Sequence, residues 1–133
     1  MPLTIDRLDH FVLTVADIDA TCDFYTRVLG MRRVRFGGGR WALAFGRQKI
    51  NLHPAGNEYE PKATVPAVGA GDFCLIAEGA MDDIMAHLAA EGVETFEGPG
   101  PRTGALGVLN SIYFRDPDGN LVEVSVYEDA AVA

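Results

Sequence analysis

The sequence predicts an α+β fold in which two βαβββ modules form a curved mixed sheet. Strand-like and helix-like segments follow one another in the same order in the two halves of the chain, and glycine- or proline-containing turns separate them. A shift of 62 residues aligns the first strands of the two halves and takes His10 to Asp72. The last strands need a shift of 72 residues, which takes Asn51 to Glu123. Such internal similarity indicates two copies of one supersecondary unit, which we expect to make a single domain.

The first module opens with a predicted buried strand over 8–15, rich in β-branched and aromatic residues. Asp17 is a suitable N-cap for a helix that runs to about Leu29, and Gly30 suits a left-handed C-cap. The helix has apolar residues at helical spacing, which predict one buried face: Ile18, Cys22, Tyr25 and Leu29. Glycine turns then separate three predicted antiparallel strands, which cover residues 31–36, 40–45 and 48–53.

The second module repeats this order after a loop-like stretch without periodicity. We predict a strand over 72–78, a helix over 81–92 that ends at Gly92, and a short strand over 93–98. Two longer strands, 109–116 and 120–127, are joined by an Asp-Pro-Asp-Gly turn that begins at Asp116. The extra length of this module falls in residues 97–107, which we predict to be a loop. The predicted domain therefore covers 6–128, with a first module at 6–56, a linker at 57–70 and a second module at 71–128.

Composition excludes several classes of protein. The chain has 133 residues, is 48% hydrophobic and carries a formal net charge of −8, which is typical of a globular domain and not of a disordered one. The negative charge argues against nucleic-acid or anionic-membrane partners, and every apolar run is shorter than the ~18 residues of a membrane span. The N-terminal residues do not resemble a secretory signal, so we expect a cytoplasmic protein. Cys22 and Cys74 are expected to be buried, reduced and structural.

Polar residues recur at equivalent strand positions in the two modules. Strand alternation places His10 among apolar neighbours, and places Asn51 and His53 on one face of the last strand of the first module. In the second module, Glu123 lies in a strand whose opposite face is built from valines, and Asp72 begins the first strand. Imidazole nitrogens and carboxylate oxygens are ligands for divalent Zn, Mn, Fe or Ni. The pattern therefore indicates a candidate metal site, for which a solvent-facing Glu123 is the alternative.

The two ends of the chain resemble one superfamily. The segments LDHFVLTVADIDATCDFYTRVLGM and SIYFRDPDGNLVEVSVY are similar to those of the vicinal oxygen chelate superfamily, which includes glyoxalase I, bleomycin- and fosfomycin-resistance proteins, extradiol dioxygenases and methylmalonyl-CoA epimerase. The resemblance covers about residues 7–128 and is greatest for the glyoxalase-domain-containing protein 5 group. It implies the fold of that superfamily, a homodimer and a small-molecule substrate.

The resemblance also implies roles for individual residues. His10 and Glu123 match metal ligands of the superfamily, and His53 is the expected third ligand, because Asn51 stands where glyoxalase I-like members have a glutamate. Asp72 and Asn51 are expected as additional or outer-shell ligands. Glu123 is the expected catalytic group, because a carboxylate beside the metal can transfer a proton. The implied function is a glyoxalase-like lyase, isomerase or transferase that chelates an oxygenated substrate on a divalent metal, and the alternative is a metal-free protein that binds or sequesters an antibiotic.

Other residues are candidates for substrate binding. Arg102 lies in the predicted extra loop, where it is either an anion-binding group over the cavity or a plain surface arginine. Tyr113 either points its hydroxyl into the cavity or packs in the core, and Trp41 either lines the pocket or fills the core. Five arginines that follow the first helix are expected to form a solvated face or an interface rim: Arg32, Arg33, Arg35, Arg40 and Arg47.

Overall fold

The computed structural model describes residues 2–128 and confirms the α+β fold. The chain divides into two compact units, of which the first ends at Val68 and the second begins at Gly69. Each unit contains one helix and one four-stranded mixed sheet, with the predicted βαβββ order.

The first unit consists of β1 (His10–Val15), α1 (Ile18–Leu29), β2 (Arg32–Phe36), β3 (Arg40–Phe45) and β4 (Gln48–Pro54). Its strand order is β1-β4-β3-β2, in which β1 runs parallel to β4 and the other neighbours are antiparallel. The parallel pair is possible because α1 and the two following strands make the long connection between its members. All five elements lie within two residues of their predicted bounds.

Helix α1 has the capping residues that the sequence indicated. The Asp17 side chain accepts a hydrogen bond from the Ala20 amide at 3.0 Å, and Gly30 ends the helix in the left-handed region, with φ of 67°. The helix contacts β2, β3 and β4, and its buried residues are Thr21, Cys22, Tyr25 and Val28. Strand residues Leu13, Leu43 and Ile50 supply the apolar face beneath it. One side of this sheet is therefore core, and the polar strand residues lie on the other side.

The second unit consists of β5 (Asp72–Ile76), α2 (Met81–Ala90), β6 (Glu97–Thr103), β7 (Val108–Arg115) and β8 (Leu121–Tyr127). Its strand order is β5-β8-β7-β6, again with a parallel first pair. The helices α1 and α2, with 12 and 10 residues, are the described helices of the chain, and neither is long and apolar enough to cross a membrane.

The predicted loop over residues 97–107 is wrong in its first part. Glu97–Thr103 forms β6, and the residues before it, predicted as the strand 93–98, are in irregular structure up to Phe96. Pro99 and Pro101 argued against a strand because proline cannot donate to a ladder. They are accommodated because β6 is an edge strand, paired only with β7, and because its register shifts between Glu97 and Gly100.

The two sheets share one register. Strand β1 pairs His10 with Lys49 on β4, and β5 pairs Asp72 with Leu121 on β8, so the shifts of 62 and 72 residues relate the two pairings directly. By the same relation, Cys74 on β5 is the partner of Glu123. The internal repeat is thus a repeat of strand pairing as well as of element order.

The Asp-Pro-Asp-Gly turn has a structural role. The Asp116 carboxylate accepts hydrogen bonds from the Asp118 amide at 2.9 Å, from the Asn120 amide at 2.9 Å and from Asn120 Nδ2 at 2.8 Å. Asn120 Oδ1 in turn accepts from the Gly71 amide at 2.7 Å. Both side chains are buried, so these bonds fix the start of β8 against the start of β5. The residues that carry much of the family resemblance therefore stabilise the fold.

Candidate functional site

The second unit contains a cavity of about 530 Å³ on the polar face of its sheet. Its walls come from β5, β6, β7, β8 and the β6–β7 loop, and the lining residues are Cys74, Ile76, Arg102, Thr103, Gly104, Ala105, Leu109, Tyr113, Glu123 and Tyr127. A cavity of this volume, with mixed polar and apolar walls, is the right size for a small organic molecule.

Glu123 occupies the centre of this face. Strand pairing places it between Cys74 on β5 and Tyr113 on β7. Its neighbours Val122 and Val124 are buried on the opposite side of β8, as strand alternation predicted. Ser125 Oγ donates to Glu123 Oε2 at 3.3 Å. The carboxylate is therefore half-buried, positioned by a hydroxyl, and directed to the cavity side of the sheet.

Arg102 and Tyr113 meet on the cavity wall. Arg102 Nε donates to the Tyr113 hydroxyl at 2.9 Å, and Arg102 Nη2 pairs with Glu97 Oε2 at 2.8 Å. Partial burial raises the pKa of Tyr113, with a further contribution from the Glu123 carboxylate, while the Arg102 hydrogen bond opposes the rise. The phenol is therefore protonated near neutral pH. Because its oxygen accepts from Arg102, its hydrogen is available to a molecule in the cavity.

Cys74 is exposed on this cavity, which corrects the expectation that both cysteines are buried. Cys22 is buried in α1 as expected. The Cys74 sulfur lies 3.3 Å from Ser125 Oγ, which in turn is 2.6 Å from Ser111 Oγ. Desolvation by neighbouring groups raises the pKa of the Cys74 thiol, and the charge of Glu123 raises it further. Sequence reasoning missed Cys74, although alternation from Asp72 puts it on the face of Ile76.

Glu123→Gln should lower the pKa of Cys74, because it removes a negative charge that disfavours the thiolate. Alkylation of Cys74 by iodoacetamide, followed by peptide mass spectrometry across a pH series, measures this directly, since Cys22 is buried. The rate profile should move to lower pH in Glu123→Gln. It should stay in place in Glu94→Gln, an exposed glutamate with the same change of charge. An identical profile in all three proteins would contradict the assigned contact.

The first unit places Asn51 and His53 on the polar face of β4, beside Val12 and Thr14 of β1. His53 is only 3% exposed, and its Nε2 lies 3.3 Å from Arg40 Nη2, which makes the imidazole nitrogen the acceptor. Burial lowers the pKa of His53, and the Arg40 charge lowers it further, so the ring is neutral. Arg40 itself is partly buried, unlike the solvated arginine that we expected. Asn51 is 7% exposed.

His10 lies at the start of β1 with an exposed side chain. Its Nδ1 is 2.7 Å from Asp9 Oδ2, and this hydrogen bond lowers the pKa of Asp9. A carboxylate that holds one imidazole nitrogen in this way orients the ring and leaves Nε2 as the nitrogen for a ligand, an arrangement common beside metal ions.

The remaining candidates lie elsewhere. Asp72 is exposed at the start of β5. Trp41 pairs with Leu52 and is therefore on the opposite face of its sheet from Asn51 and His53, with the guanidinium carbons of Arg33 and Arg35 at 4.0 and 4.9 Å from its ring.

Within residues 2–128, no group of three or more His, Cys, Asp or Glu side chains forms a metal-binding cluster. The structure does bring Glu123, Tyr113 and Arg102 to one cavity in the second unit, and Asn51 and His53 to one face in the first. Ligation by His10, His53 and Glu123 stays a prediction, as does the participation of Asp72 and Asn51.

The fold and the polar sheet faces define a class of protein. The chain belongs to the Glyoxalase/Bleomycin resistance protein/Dioxygenase superfamily, whose family model matches residues 7–124. This confirms the resemblance that the sequence motifs indicated.

Individual relatives extend over most of the chain. It is 54% identical to glyoxalase domain-containing protein RDO1 of Mycosarcoma maydis, over 96% of this chain and 72% of that protein. It is 50% identical to virulence protein STM3117 of Salmonella typhimurium, whose crystal structure superimposes with a TM-score of 0.93 and covers 95% of this chain and 100% of that one. It is 33% identical to a probable lactoylglutathione lyase of Vibrio cholerae, over 89% of this chain and 88% of the lyase.

Proposed function

We propose that this protein is a divalent-metal-dependent enzyme that acts on a small oxygenated substrate as a lyase, isomerase or transferase. The observation that carries the proposal is the placement of the Glu123 carboxylate, the Tyr113 phenol and the Arg102 guanidinium on one cavity of about 530 Å³. A carboxylate can accept a proton, and a protonated phenol can donate a hydrogen bond to a substrate oxygen. This combination suits reactions at a carbon next to a carbonyl group.

The chemistry of the available donors fits a divalent metal. Asp9 holds Nδ1 of His10, which leaves Nε2 for ligation, and Glu123 supplies a carboxylate oxygen. We propose His10 and Glu123 as ligands of such an ion. Nε2 of His53 is engaged by Arg40, so this nitrogen binds a metal only after Arg40 has moved away. When bound, a divalent ion supplies Lewis-acid polarisation of a substrate oxygen.

The side chains of the second unit have separate tasks in this proposal. Glu123, positioned by Ser125, takes a proton from the substrate carbon and returns it to a neighbouring position. Tyr113, whose oxygen is held by Arg102, donates its hydrogen to the developing oxyanion. Ile76 and Leu109 give the cavity apolar walls that bind the remainder of a small substrate. The similarity to a probable lactoylglutathione lyase supports this reaction class.

Metal titration of the purified protein tests the proposal. After treatment with a chelator, the wild-type chain should bind Zn²⁺, Mn²⁺, Ni²⁺ or Fe²⁺ saturably in calorimetric titrations. His10→Ala should weaken that affinity by at least about tenfold, because loss even of an outer-shell partner costs roughly 10- to 100-fold. His87→Ala, which changes an exposed histidine of α2, should leave the affinity unchanged. Binding of organic ligands without any metal uptake, or equal metal affinity in wild type and His10→Ala, would contradict the enzyme and favour a sequestering protein.

A further inference from the structure

We propose that the first unit contains a separate binding site for a small 2-hydroxy carboxylate, formed by Arg40 and Asn51 on the polar face of its sheet. The site goes beyond the proposed function, because neither residue is among the proposed metal ligands and both lie in the first unit. The argument starts from two polar groups that the protein buries without satisfying.

Arg40 is held in place but keeps its charge. Its guanidinium carbon lies 4.3 Å from the centre of the Tyr59 ring and 5.4 Å from that of Phe36, and its Nη2 donates to the neutral His53. None of these partners is an anion. The Nε–H group is buried and has no hydrogen-bond partner in residues 2–128. A buried donor of this kind calls for an acceptor from outside the described chain.

A second cation adds to the positive charge at this face. Lys49 of β4 has its Nζ 3.5 Å from the centre of the same Phe36 ring. Neither Lys49 nor Arg40 forms a salt bridge with a carboxylate among residues 2–128, whereas Arg33, Lys62 and Arg102 each do. Two cations that bracket an aromatic ring without a counter-ion make a favourable place for a carboxylate group.

Asn51 supplies the complementary requirement. Its Oδ1 is buried and accepts no hydrogen bond within residues 2–128. Strand pairing of Trp41 with Leu52 and of Ala42 with Asn51 makes Arg40 and Asn51 diagonal neighbours on one face. A ligand that satisfies both must carry an acceptor for Arg40 and, close to it, a donor for Asn51. A carboxylate with an adjacent hydroxyl group has this pair of functions.

The distribution of charge along the chain agrees with an anionic ligand. Residues 1–68 contain nine lysines and arginines and seven aspartates and glutamates, for a net charge of +2. Residues 69–133 contain two basic and twelve acidic residues, for a net charge of −10. An anion is therefore attracted to the first unit and repelled by the second, although the chain as a whole is acidic.

The test uses glycolate and acetate, which differ in the hydroxyl group alone, with chelator-treated full-length protein. Binding is followed by amide chemical shifts. Wild type should bind glycolate at least tenfold more tightly than acetate. Arg40→Met, which keeps the aliphatic stem over Tyr59, should lose glycolate binding by at least tenfold, and Arg40→Lys should lose most of it because lysine has no Nε fork. Arg47→Met, at an exposed turn position, is the matched control and should bind as wild type does.

Asn51→Leu gives an independent readout. It removes the acceptor of the hydroxyl group and should bring the affinities of glycolate and acetate to within about twofold of each other. Equal affinities of the two probes in wild type, or unchanged glycolate binding in Arg40→Met, would overturn the proposal. Because no metal is present in this experiment, its outcome is independent of whether the proposed metal binding succeeds or fails.

Discussion

Gly98→Ala should lower the free energy of unfolding by about 3 kcal/mol or more, which is the largest stability effect we expect from a single methyl group in this chain. Gly98 has φ of +87°, a region that residues with a side chain rarely adopt. A Cβ atom at this position would lie 2.2 Å from the carbonyl oxygen of Ser111 on β7. The backbone of β6 must therefore move away from β7. Urea denaturation of the two proteins measures the difference.

Gly100→Ala is the matched control for this experiment. Gly100 lies two residues further along β6, and a Cβ atom there would meet nothing within 4 Å. We expect a change in unfolding free energy below about 1 kcal/mol. Equal destabilisation by the two substitutions would show that β6 tolerates the close approach at Gly98, and that its pairing with β7 differs from the one described here.

The course of β6 shows where sequence reasoning about this fold fails. Alternating apolar residues identify a strand when one of its faces is buried, as in β7 and β8. Residues 97–103 have no such pattern, since most of them are exposed and two are prolines. What makes them a strand is pairing to an already formed edge, together with a glycine that permits close approach. Both are tertiary effects, which local propensity does not contain.

Local signals were sufficient elsewhere. Asp17 and Gly30 mark the ends of α1 because each makes a specific backbone interaction, and the turn at Asp116 is defined by hydrogen bonds of its own residues. The repeat predicted the element order of the second unit from that of the first. It also predicted the register of β5 on β8, because pairing follows the same positions in both sheets.

The candidate site was predictable only in part for a related reason. Strand alternation assigns Glu123 and Tyr113 to one face, and structure and prediction agree on that face. Alternation does not tell whether a face is covered, so Cys74 was expected inside and is exposed. Nor does it show contacts made by long side chains. The hydrogen bond from Arg40 to His53 depends on the path of a guanidinium across an aromatic ring.

Glu123→Gln should reduce the affinity of the protein for its divalent metal by at least about 100-fold, since it replaces the proposed charged ligand by a neutral amide. The same substitution removes the proposed proton acceptor, which typically contributes about 10²- to 10⁴-fold to a rate. The fold should remain intact, because the glutamine Oε1 can still accept the hydrogen bond that Ser125 Oγ donates at 3.3 Å. Calorimetric titration with metal, paired with urea denaturation, separates the two effects.

Glu128→Gln makes the same change of charge one residue beyond the end of β8, at an exposed position. If long-range electrostatics alone set metal affinity, Glu128→Gln and Glu123→Gln should weaken it to a similar extent. If Glu123 is a ligand, Glu128→Gln should change the affinity by no more than about twofold, because exposed charges beyond the ~8 Å Debye length are largely screened at physiological salt. A stable Glu123→Gln protein with wild-type metal affinity would remove Glu123 from the ligand set. Glu123 would then act only as a base on the cavity wall, and its neighbours Cys74 and Tyr113 would become the next groups to substitute.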